Sequence, residues 1–116
     1  MITVEQYGMG RFVDGKPTAE DIDIALEGLK RARQVMLSGI YDVLILEEAN
    51  VAVKFGLIPV QELINMIISK PEGMEMIITG RNASPLILDI ADLVTEMKPV
   101  KHYYKKGVRA RFGIEK

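Results

Sequence analysis

The chain has 116 residues, of which 48% are hydrophobic and 27% charged, and this balance predicts one folded domain over residues 1–116. It has no cysteine and one histidine, which excludes disulfides, thiol nucleophiles and multi-histidine metal sites. The net charge of −1 is unevenly spread, because residues 98–116 carry seven of the fifteen Lys and Arg but one of the sixteen acids. The sequence has no membrane-length apolar run and no signal-peptide layout at its N-terminus, so we expect a cytoplasmic protein.

The first predicted elements are a short strand, a glycine-rich loop and an amphipathic helix. The strand covers residues 3–7 and the loop residues 8–17. Thr18 and Asp21 have the spacing of a capping box with Asp in place of Glu, which predicts that a helix begins after Thr18. Apolar residues at helical spacing then form one stripe before Gly39, namely Ile22, Ala25, Leu26, Leu29, Ala32, Met36 and Leu37.

Strands and helices alternate through the rest of the chain. Residues 43–46 are apolar at consecutive positions, which predicts a central parallel strand that is buried on both faces. The following predicted elements are a helix from Pro59 that stops at Lys70-Pro71, a strand at 74–79, a helix from Ser84-Pro85 and a strand at 93–97. This alternation predicts an α/β fold with a mostly parallel sheet and helices on both faces.

Polar segments follow each of the last three predicted strands, at residues 47–50, 79–82 and 95–96. In α/β folds the carboxyl edge of the sheet is where ligands bind. A hydrophobic strand that ends in two acids, here Glu47 and Glu48, is the Walker B pattern, in which a carboxylate holds Mg²⁺ beside a triphosphate. Neighbouring side chains of a strand point to opposite faces, so the two acids need not share one role. Buried strands also end in solvated acids, so the pattern alone leaves both interpretations open.

Five segments carry a resemblance to one enzyme family. They are 44–50 (LILEEAN), 76–81 (MIITGR), 91–97 (ADLVTEM), 100–102 (VKH) and 107–115 (GVRARFGIE). In order and spacing they resemble the C-terminal two-thirds of P-loop-type ATP:cob(I)alamin adenosyltransferases, which show V-h-L-D-E-h, h-h-h-T-G-R, A-D-x-V-T/S-E-h, V-K-H and G-I/V-x-A-x-x-G-I-E/D, where h is hydrophobic. The resemblance implies a P-loop NTPase (RecA-like) fold. It also implies transfer of the 5′-deoxyadenosyl group of ATP to the Co(I) of a corrinoid, with release of triphosphate.

The resemblance implies a metal and ATP site at the carboxyl ends of the strands. Glu48 matches the acid that ligates Mg²⁺, and Glu47, where the family has Asp, would orient the metal shell. ATP would contact the T-G-R segment, in which Arg81 is a planar bidentate donor suited to phosphate oxygens, and the histidine of V-K-H. The implied ATP-binding residues are Thr79, Gly80, Arg81 and His102.

The residues in this group have alternative interpretations as well. Arg81 in a strand-end position also fits a salt bridge to Glu96 or Asp92, and a lone histidine such as His102 also fits a satisfied core or surface position.

The resemblance places the corrinoid beside the glycine-rich loop. The family carries G-F-x-W there, and Phe12 matches the family Phe, whereas Asp14 stands where the Trp would be. The implied corrinoid-binding residues are Gly10, Arg11, Phe12 and Asn50.

One family motif does not occur in these 116 residues. Family members begin with a strand and a G-x-G-K-G-K-T-T phosphate loop, but Gly8-Met9-Gly10 is followed by Arg11-Phe12. We therefore expect the chain to lack about the first third of the enzyme, including its first strand and phosphate loop, and to be inactive alone. Because the missing strand would leave a sheet edge exposed, we also expect a homo-oligomer or pairing with a missing N-terminal partner.

Two other functions remain possible on sequence grounds. The first is a non-catalytic binding or assembly module that retains the fold. The second is nucleic-acid binding by the basic segment 98–116, in which Tyr103, Tyr104 and Phe112 are interleaved. The acidic remainder of the chain would repel phosphates, so we expect no nucleic-acid partner and no membrane association.

Overall fold

The structure of the protein is a computed structural model, which describes residues 1–8 and 15–114. Its elements, in chain order, are α1 (Ala19–Leu37), β1 (Val43–Leu46), α2 (Ala49–Lys54), α3 (Val60–Ile68), β2 (Glu75–Ile78), α4 (Pro85–Ile90) and a 3₁₀ helix (Tyr103–Lys106). The strands β1 and β2 pair in parallel, with Val43 opposite Glu75 and Leu46 opposite Ile78. The prediction of an α/β fold with a parallel sheet is therefore confirmed in this small, two-stranded form.

The start of α1 is fixed by its capping box. The backbone N–H of Asp21 donates to Thr18 Oγ1 at 3.1 Å, and the N–H of Thr18 donates to Asp21 Oδ2 at 2.9 Å. This confirms the predicted boundary. The predicted apolar stripe is only partly correct, because Leu29 and Met36 are buried whereas Leu37 is 62% exposed and Leu26 is also exposed. The core contacts the helix on a narrower face than the spacing of the apolar residues predicts.

Two further helices begin where the sequence predicts. Pro59 is the N-terminal cap of α3, and Ser84 caps α4 by accepting a hydrogen bond from the Leu86 N–H at 3.3 Å. Proline at the first position of α4 has no backbone N–H to leave unpaired, which suits a helix start. The short helix α2 was not predicted; it begins directly after the strand-end acid Glu48.

The predicted strand at 3–7 is wrong, because this segment pairs with no strand among the described residues. It lies along α1 and is held by side chains instead. The Thr3 and Tyr41 hydroxyls are 2.7 Å apart, and Arg31 Nε donates to both carboxylate oxygens of Glu5 at 3.2 and 3.1 Å. The ring of Tyr7 packs against Gly28, where a Cβ would lie 2.7 Å from the Tyr7 Cγ atom. Side-chain contacts with a helix therefore replace backbone pairing.

The predicted strand at 93–97 is also wrong. These residues are exposed and form no strand, whereas a β-strand needs a neighbour to satisfy its backbone groups. Within the described residues the only strand pairing is that between β1 and β2. A strand-like composition does not produce a strand here without an adjacent strand to pair with.

The core lies on one face of the sheet. Leu44, Leu46, Met76 and Ile78 pack against a cluster made of Leu29, Met36, Ala49, Ile58, Leu63, Met66, Met74 and Ile87. On the opposite face Val43, Ile45 and Ile77 are 48%, 58% and 46% exposed. The predictions that β1 is buried on both faces and that helices lie on both faces of the sheet are therefore wrong for the described residues, which supply a packed layer to one face. We call Val43, Ile45 and Ile77 the open sheet face.

The described residues contain no helix that is both long and apolar enough to cross a membrane.

Candidate functional site

The two strand-end acids follow β1 directly. Glu47 and Glu48 are both exposed, and Glu48 occupies the position between β1 and α2. Its backbone is left-handed, with φ of 61°, which is uncommon for a residue other than Gly, Asn or Asp. The Glu48 N–H donates to Thr79 Oγ1 at 3.0 Å. The end of β1 is thus joined to the end of β2 at the residue that bears the predicted metal-binding carboxylate.

Asn50 makes two further hydrogen bonds between the strand ends. Its backbone N–H donates to the Thr79 carbonyl at 3.2 Å, and its Nδ2 donates to the Gly80 carbonyl at 3.3 Å. The residue is only 7% exposed, and its Oδ1 atom is buried with no hydrogen-bond partner among the described residues. The geometry makes Asn50 a bridge inside the fold, while its predicted contact with a corrinoid stays a prediction.

Gly80 permits the close approach of the two strand ends. Its φ is 121°, a conformation that residues with a Cβ rarely adopt. A Cβ at this position would lie 3.1 Å from Asn50 Cβ, 3.2 Å from the Val51 backbone nitrogen and 3.3 Å from Glu48 Cα. A glycine is therefore required where the T-G-R segment meets the turn after β1.

Arg81 and His102 line the same open cleft, which has a volume of about 630 Å³. Its lining residues are Arg81, Asn82, Met97, Lys98, Pro99 and His102. Two cations and an imidazole in one cleft suit an anion with several oxygens. Arg81 is exposed and forms no ion pair with Glu96 or Asp92 in the part of the chain that the structure describes, and Glu96 instead lies 3.9 Å from Lys98. The alternative interpretation of Arg81, a salt bridge to Glu96 or Asp92, is therefore wrong for the described residues.

His102 is a surface residue that caps the 3₁₀ helix. Its Nδ1 accepts a hydrogen bond from the Tyr104 N–H at 3.0 Å, and its ring lies 4.6 Å from the Tyr103 ring. A neutral imidazole that accepts at Nδ1 carries its hydrogen on Nε2. The ring is therefore oriented by the backbone, and Nε2–H is its hydrogen-bond donor.

The predicted metal residues and the cleft are separate parts of the site. Glu47 and Glu48 are not among the lining residues of the cleft. Within residues 1–8 and 15–114, no group of three or more His, Asp or Glu side chains is placed to hold a metal ion. Mg²⁺ commonly keeps several waters and binds through one or two carboxylates together with substrate phosphates. Two exposed carboxylates at a strand end fit that mode of binding, which requires no complete protein cage.

The predicted corrinoid-binding residues Gly10, Arg11 and Phe12 lie outside the described residues. Asp14, which stands where the family has Trp, lies outside them too.

Sequence analysis missed a second cleft of about 630 Å³ that shares Asn82 with the first. It is mostly apolar and contains one cation, with Val53, Lys54, Gly56, Ile58, Pro59, Val60, Asn82, Ala83, Ser84 and Pro85 around it. The cleft lies between the end of α2 and the start of α4. Because α2 itself was not predicted, no signal in the sequence pointed to this cleft.

Comparison with known proteins identifies an enzyme family. Residues 1–115 match the family described as ATP:corrinoid adenosyltransferase BtuR/CobO/CobP. A corrinoid adenosyltransferase of Pseudomonas aeruginosa is 35% identical over 114 residues, which are 98% of this chain and 56% of that protein. One from a Sinorhizobium species is 30% identical over 109 residues, which are 93% of this chain and 51% of the relative.

The similarity extends to a corrinoid adenosyltransferase CobA of Salmonella typhimurium, which is 34% identical over 86 residues, 74% of this chain and 44% of that protein. The chain therefore spans about half the length of the curated relatives that it matches.

Proposed function

Because this chain belongs to the family of ATP:corrinoid adenosyltransferases, we propose that it forms the part of such an enzyme that holds Mg²⁺ and the polyphosphate of ATP. The complete enzyme would transfer the 5′-deoxyadenosyl group of ATP to the Co(I) of a corrinoid. One observation carries the proposal: the hydrogen bond from Glu48 N–H to Thr79 Oγ1 joins the strand-end acid to the T-G-R segment.

The chemistry of this transfer places few demands on acid–base residues. In the corrinoid substrate, Co(I) attacks the C5′ atom of ATP with its own electron pair. That electron pair becomes the cobalt–carbon bond as the bond between C5′ and the ester oxygen breaks, and triphosphate leaves with the two electrons of the broken C5′–O bond. No proton has to be removed from the nucleophile, so a general base is unnecessary. The protein contributes by holding the anionic leaving group and by aligning the reacting atoms.

The described residues fit the binding of that leaving group. Glu48, assisted by Glu47, would hold Mg²⁺, which supplies positive charge to the phosphate oxygens. Arg81 would donate two hydrogen bonds to phosphate oxygens, and the Nε2–H of His102 would donate another from the same cleft. Lys98 adds a second cation to that cleft. Gly80 lets the segment that carries Arg81 pack against the turn that carries Glu48, because a Cβ at position 80 would meet Asn50 and the Glu48 backbone.

Corrinoid binding is proposed for Gly10, Arg11, Phe12 and Asn50 from the resemblance of the glycine-rich loop to the family. Asn50 is buried and its Nδ2 donates to the Gly80 carbonyl, so its part in corrinoid binding would be to hold the turn after β1 against the segment after β2.

We further propose that the open sheet face is covered by another stretch of polypeptide when the enzyme is assembled. A two-stranded sheet with one apolar face exposed has marginal stability by itself. In the described part of the chain this sheet also has unpaired backbone groups along both edges. The covering polypeptide would be a second copy of this chain or a phosphate-loop segment. Sedimentation velocity of the chain, alone and mixed with an N-terminal fragment of a family member chosen to carry the G-x-G-K-G-K-T-T phosphate loop, tests this. A chain that stays monomeric and does not bind the fragment would contradict it.

The test of activity follows formation of the light-sensitive cobalt–carbon bond by absorbance. Chemically reduced Co(I) corrinoid and MgATP are incubated anaerobically with the chain, with and without the phosphate-loop fragment. We expect the transfer only when both are present, and we expect Glu48→Gln to abolish it while Glu27→Gln, an exposed change on α1, leaves it intact.

A non-catalytic binding module of the same family is the alternative function. Tight binding of ATP or corrinoid without transfer, under every complementation, would establish that alternative. Absence of both binding and transfer would overturn both functions.

A further inference from the structure

The most constrained part of the molecule is the junction between the two strand ends. Three hydrogen bonds connect residues 48–50 with residues 79–80: Glu48 N–H to Thr79 Oγ1, Asn50 N–H to the Thr79 carbonyl, and Asn50 Nδ2 to the Gly80 carbonyl. Only the first of them uses the side chain of Thr79. The other two use backbone oxygens, so they do not depend on which side chain occupies position 79.

The bond to Thr79 Oγ1 acts on a strained residue. Glu48 is held at φ 61°, a conformation that a residue with a Cβ adopts at a cost and keeps only where its surroundings determine it. The Thr79 hydroxyl accepts directly from the Glu48 backbone N–H, at 3.0 Å. On the C-terminal side, Asn50 is tied to β2 through Thr79 and Gly80, which fixes the path of the chain that leaves Glu48.

We propose that Thr79 is a positioning residue whose hydroxyl fixes the backbone of Glu48, and that it serves the metal-bound form of the nucleotide through Glu48. This role differs from the direct contact with ATP that the T-G-R resemblance implies for Thr79. It rests on the proposed function of Glu48 as a magnesium ligand. If Thr79 contacts the nucleotide directly, its side chain contributes to ATP affinity with or without Mg²⁺. If Thr79 acts through Glu48, its side chain contributes to ATP affinity only when Mg²⁺ is present.

The variant that separates these roles is Thr79→Val, which keeps the branched shape and removes the hydroxyl. Thr79→Ser is the matched control, because it keeps the hydroxyl. Both retain the backbone bonds from Thr79 N–H to the Leu46 carbonyl, at 3.2 Å, and from Asn50 N–H to the Thr79 carbonyl. If Thr79→Val does not fold, Thr79→Ala removes the same hydroxyl without placing a methyl group where the hydroxyl was.

The first measurement is amide hydrogen exchange at Glu48, followed by NMR in the chain without ligand. We expect faster exchange of the Glu48 N–H in Thr79→Val and exchange close to that of the wild type in Thr79→Ser. Unchanged exchange in Thr79→Val would overturn the proposal, because the hydroxyl would then not hold the Glu48 backbone in solution.

The second measurement is the affinity for ATP, titrated by NMR in the presence of Mg²⁺ and again with a chelator. Loss of one net hydrogen bond predicts that Thr79→Val weakens MgATP binding by about fivefold and leaves metal-free ATP binding unchanged. An equal loss in both titrations would overturn the proposal in favour of direct contact with the nucleotide.

The two measurements also separate this proposal from the function on which it rests. If the wild type binds ATP equally with and without Mg²⁺, and Glu48→Gln changes neither affinity, then the proposed magnesium role of Glu48 has failed. The amide-exchange result would still report the contact between Thr79 and Glu48. The proposal that Thr79 positions a magnesium ligand would nevertheless be wrong. Recovery of both the exchange rate and the MgATP affinity in Thr79→Ser would support the proposal.

Discussion

Gly80 lies so close to Asn50 that a Cβ placed on it would be 3.1 Å from Asn50 Cβ. The same Cβ would be 3.2 Å from the backbone nitrogen of Val51, which cannot move independently of α2. The contact is the point at which the turn after β1 packs on the segment after β2. This contact therefore positions the turn that carries Glu47 and Glu48 against the segment that carries Arg81.

We predict that Gly80→Ala destabilises the protein by about 1–3 kcal/mol, because it combines a strained φ of 121° with crowding against backbone atoms. Chemical denaturation with urea measures the change in the free energy of unfolding. Gly73→Ala is the control, since no atom of the described residues lies within 4 Å of a Cβ there. Equal stability of the two variants would show that the strand ends are not packed as closely as the structure has them.

A second prediction separates stability from function at Glu48. Glu48→Gly removes a left-handed residue that carries a Cβ, so we expect the free energy of unfolding to rise by about 0.5–1 kcal/mol. The same change removes the proposed magnesium ligand, so MgATP binding should weaken. Glu47→Gly is the matched control: Glu47 has no positive φ, and glycine there should only lower stability. A destabilised Glu48→Gly would mean that the left-handed turn is not strained.

The features that the sequence predicts correctly are local ones. Thr18 with Asp21, and Ser84 with Pro85, specify helix starts through hydrogen bonds that span three residues or fewer. The parallel pairing of β1 with β2 follows from two apolar runs joined by a helix. The helix starts depend on neighbouring residues alone, and the strand pairing depends on the two apolar runs and the helical segment that joins them.

The features that the sequence does not predict depend on distant parts of the chain. Residues 93–97 have a strand-like composition but no described strand beside them, and β1 lacks a layer of described residues over its second face. In the site, parallel pairing correctly predicts that Glu48 and Thr79 lie near each other. The bridge made by Asn50 was not predicted, because a buried amide that links two strand ends leaves no periodic signal in the sequence.

We also predict that Arg81 binds the polyphosphate chain. Arg81→Ala should weaken binding of inorganic tripolyphosphate by about tenfold, since a charged, bidentate hydrogen bond is lost. Arg81→Lys should restore the charge but only part of the affinity, because a lysine ammonium does not reproduce the planar pair of donors. Isothermal titration calorimetry at low and high salt measures the tripolyphosphate affinity of both variants. Lys30→Ala, which removes an exposed charge on α1, is the control for net charge. If it weakens tripolyphosphate binding as much as Arg81→Ala does, the attraction is nonspecific.

The attachment of the N-terminal segment to α1 should depend on pH through Glu5. The Arg31 guanidinium donates to the Glu5 carboxylate, and this hydrogen bond holds the pKa of Glu5 below its usual value of 4.5. A carboxyl group whose pKa is lowered by folding contributes stability above its unfolded pKa and loses it as the pH falls through the folded pKa. Glu5→Gln should therefore be less stable than the wild type near pH 7, and the difference should shrink as the pH falls below 4.5 and through the lowered pKa of Glu5. Urea denaturation at several pH values measures it, with Glu72→Gln, an exposed turn residue, as the control. A difference between Glu5→Gln and the wild type that stayed constant down to low pH would mean that the carboxylate charge is not what holds the segment on α1.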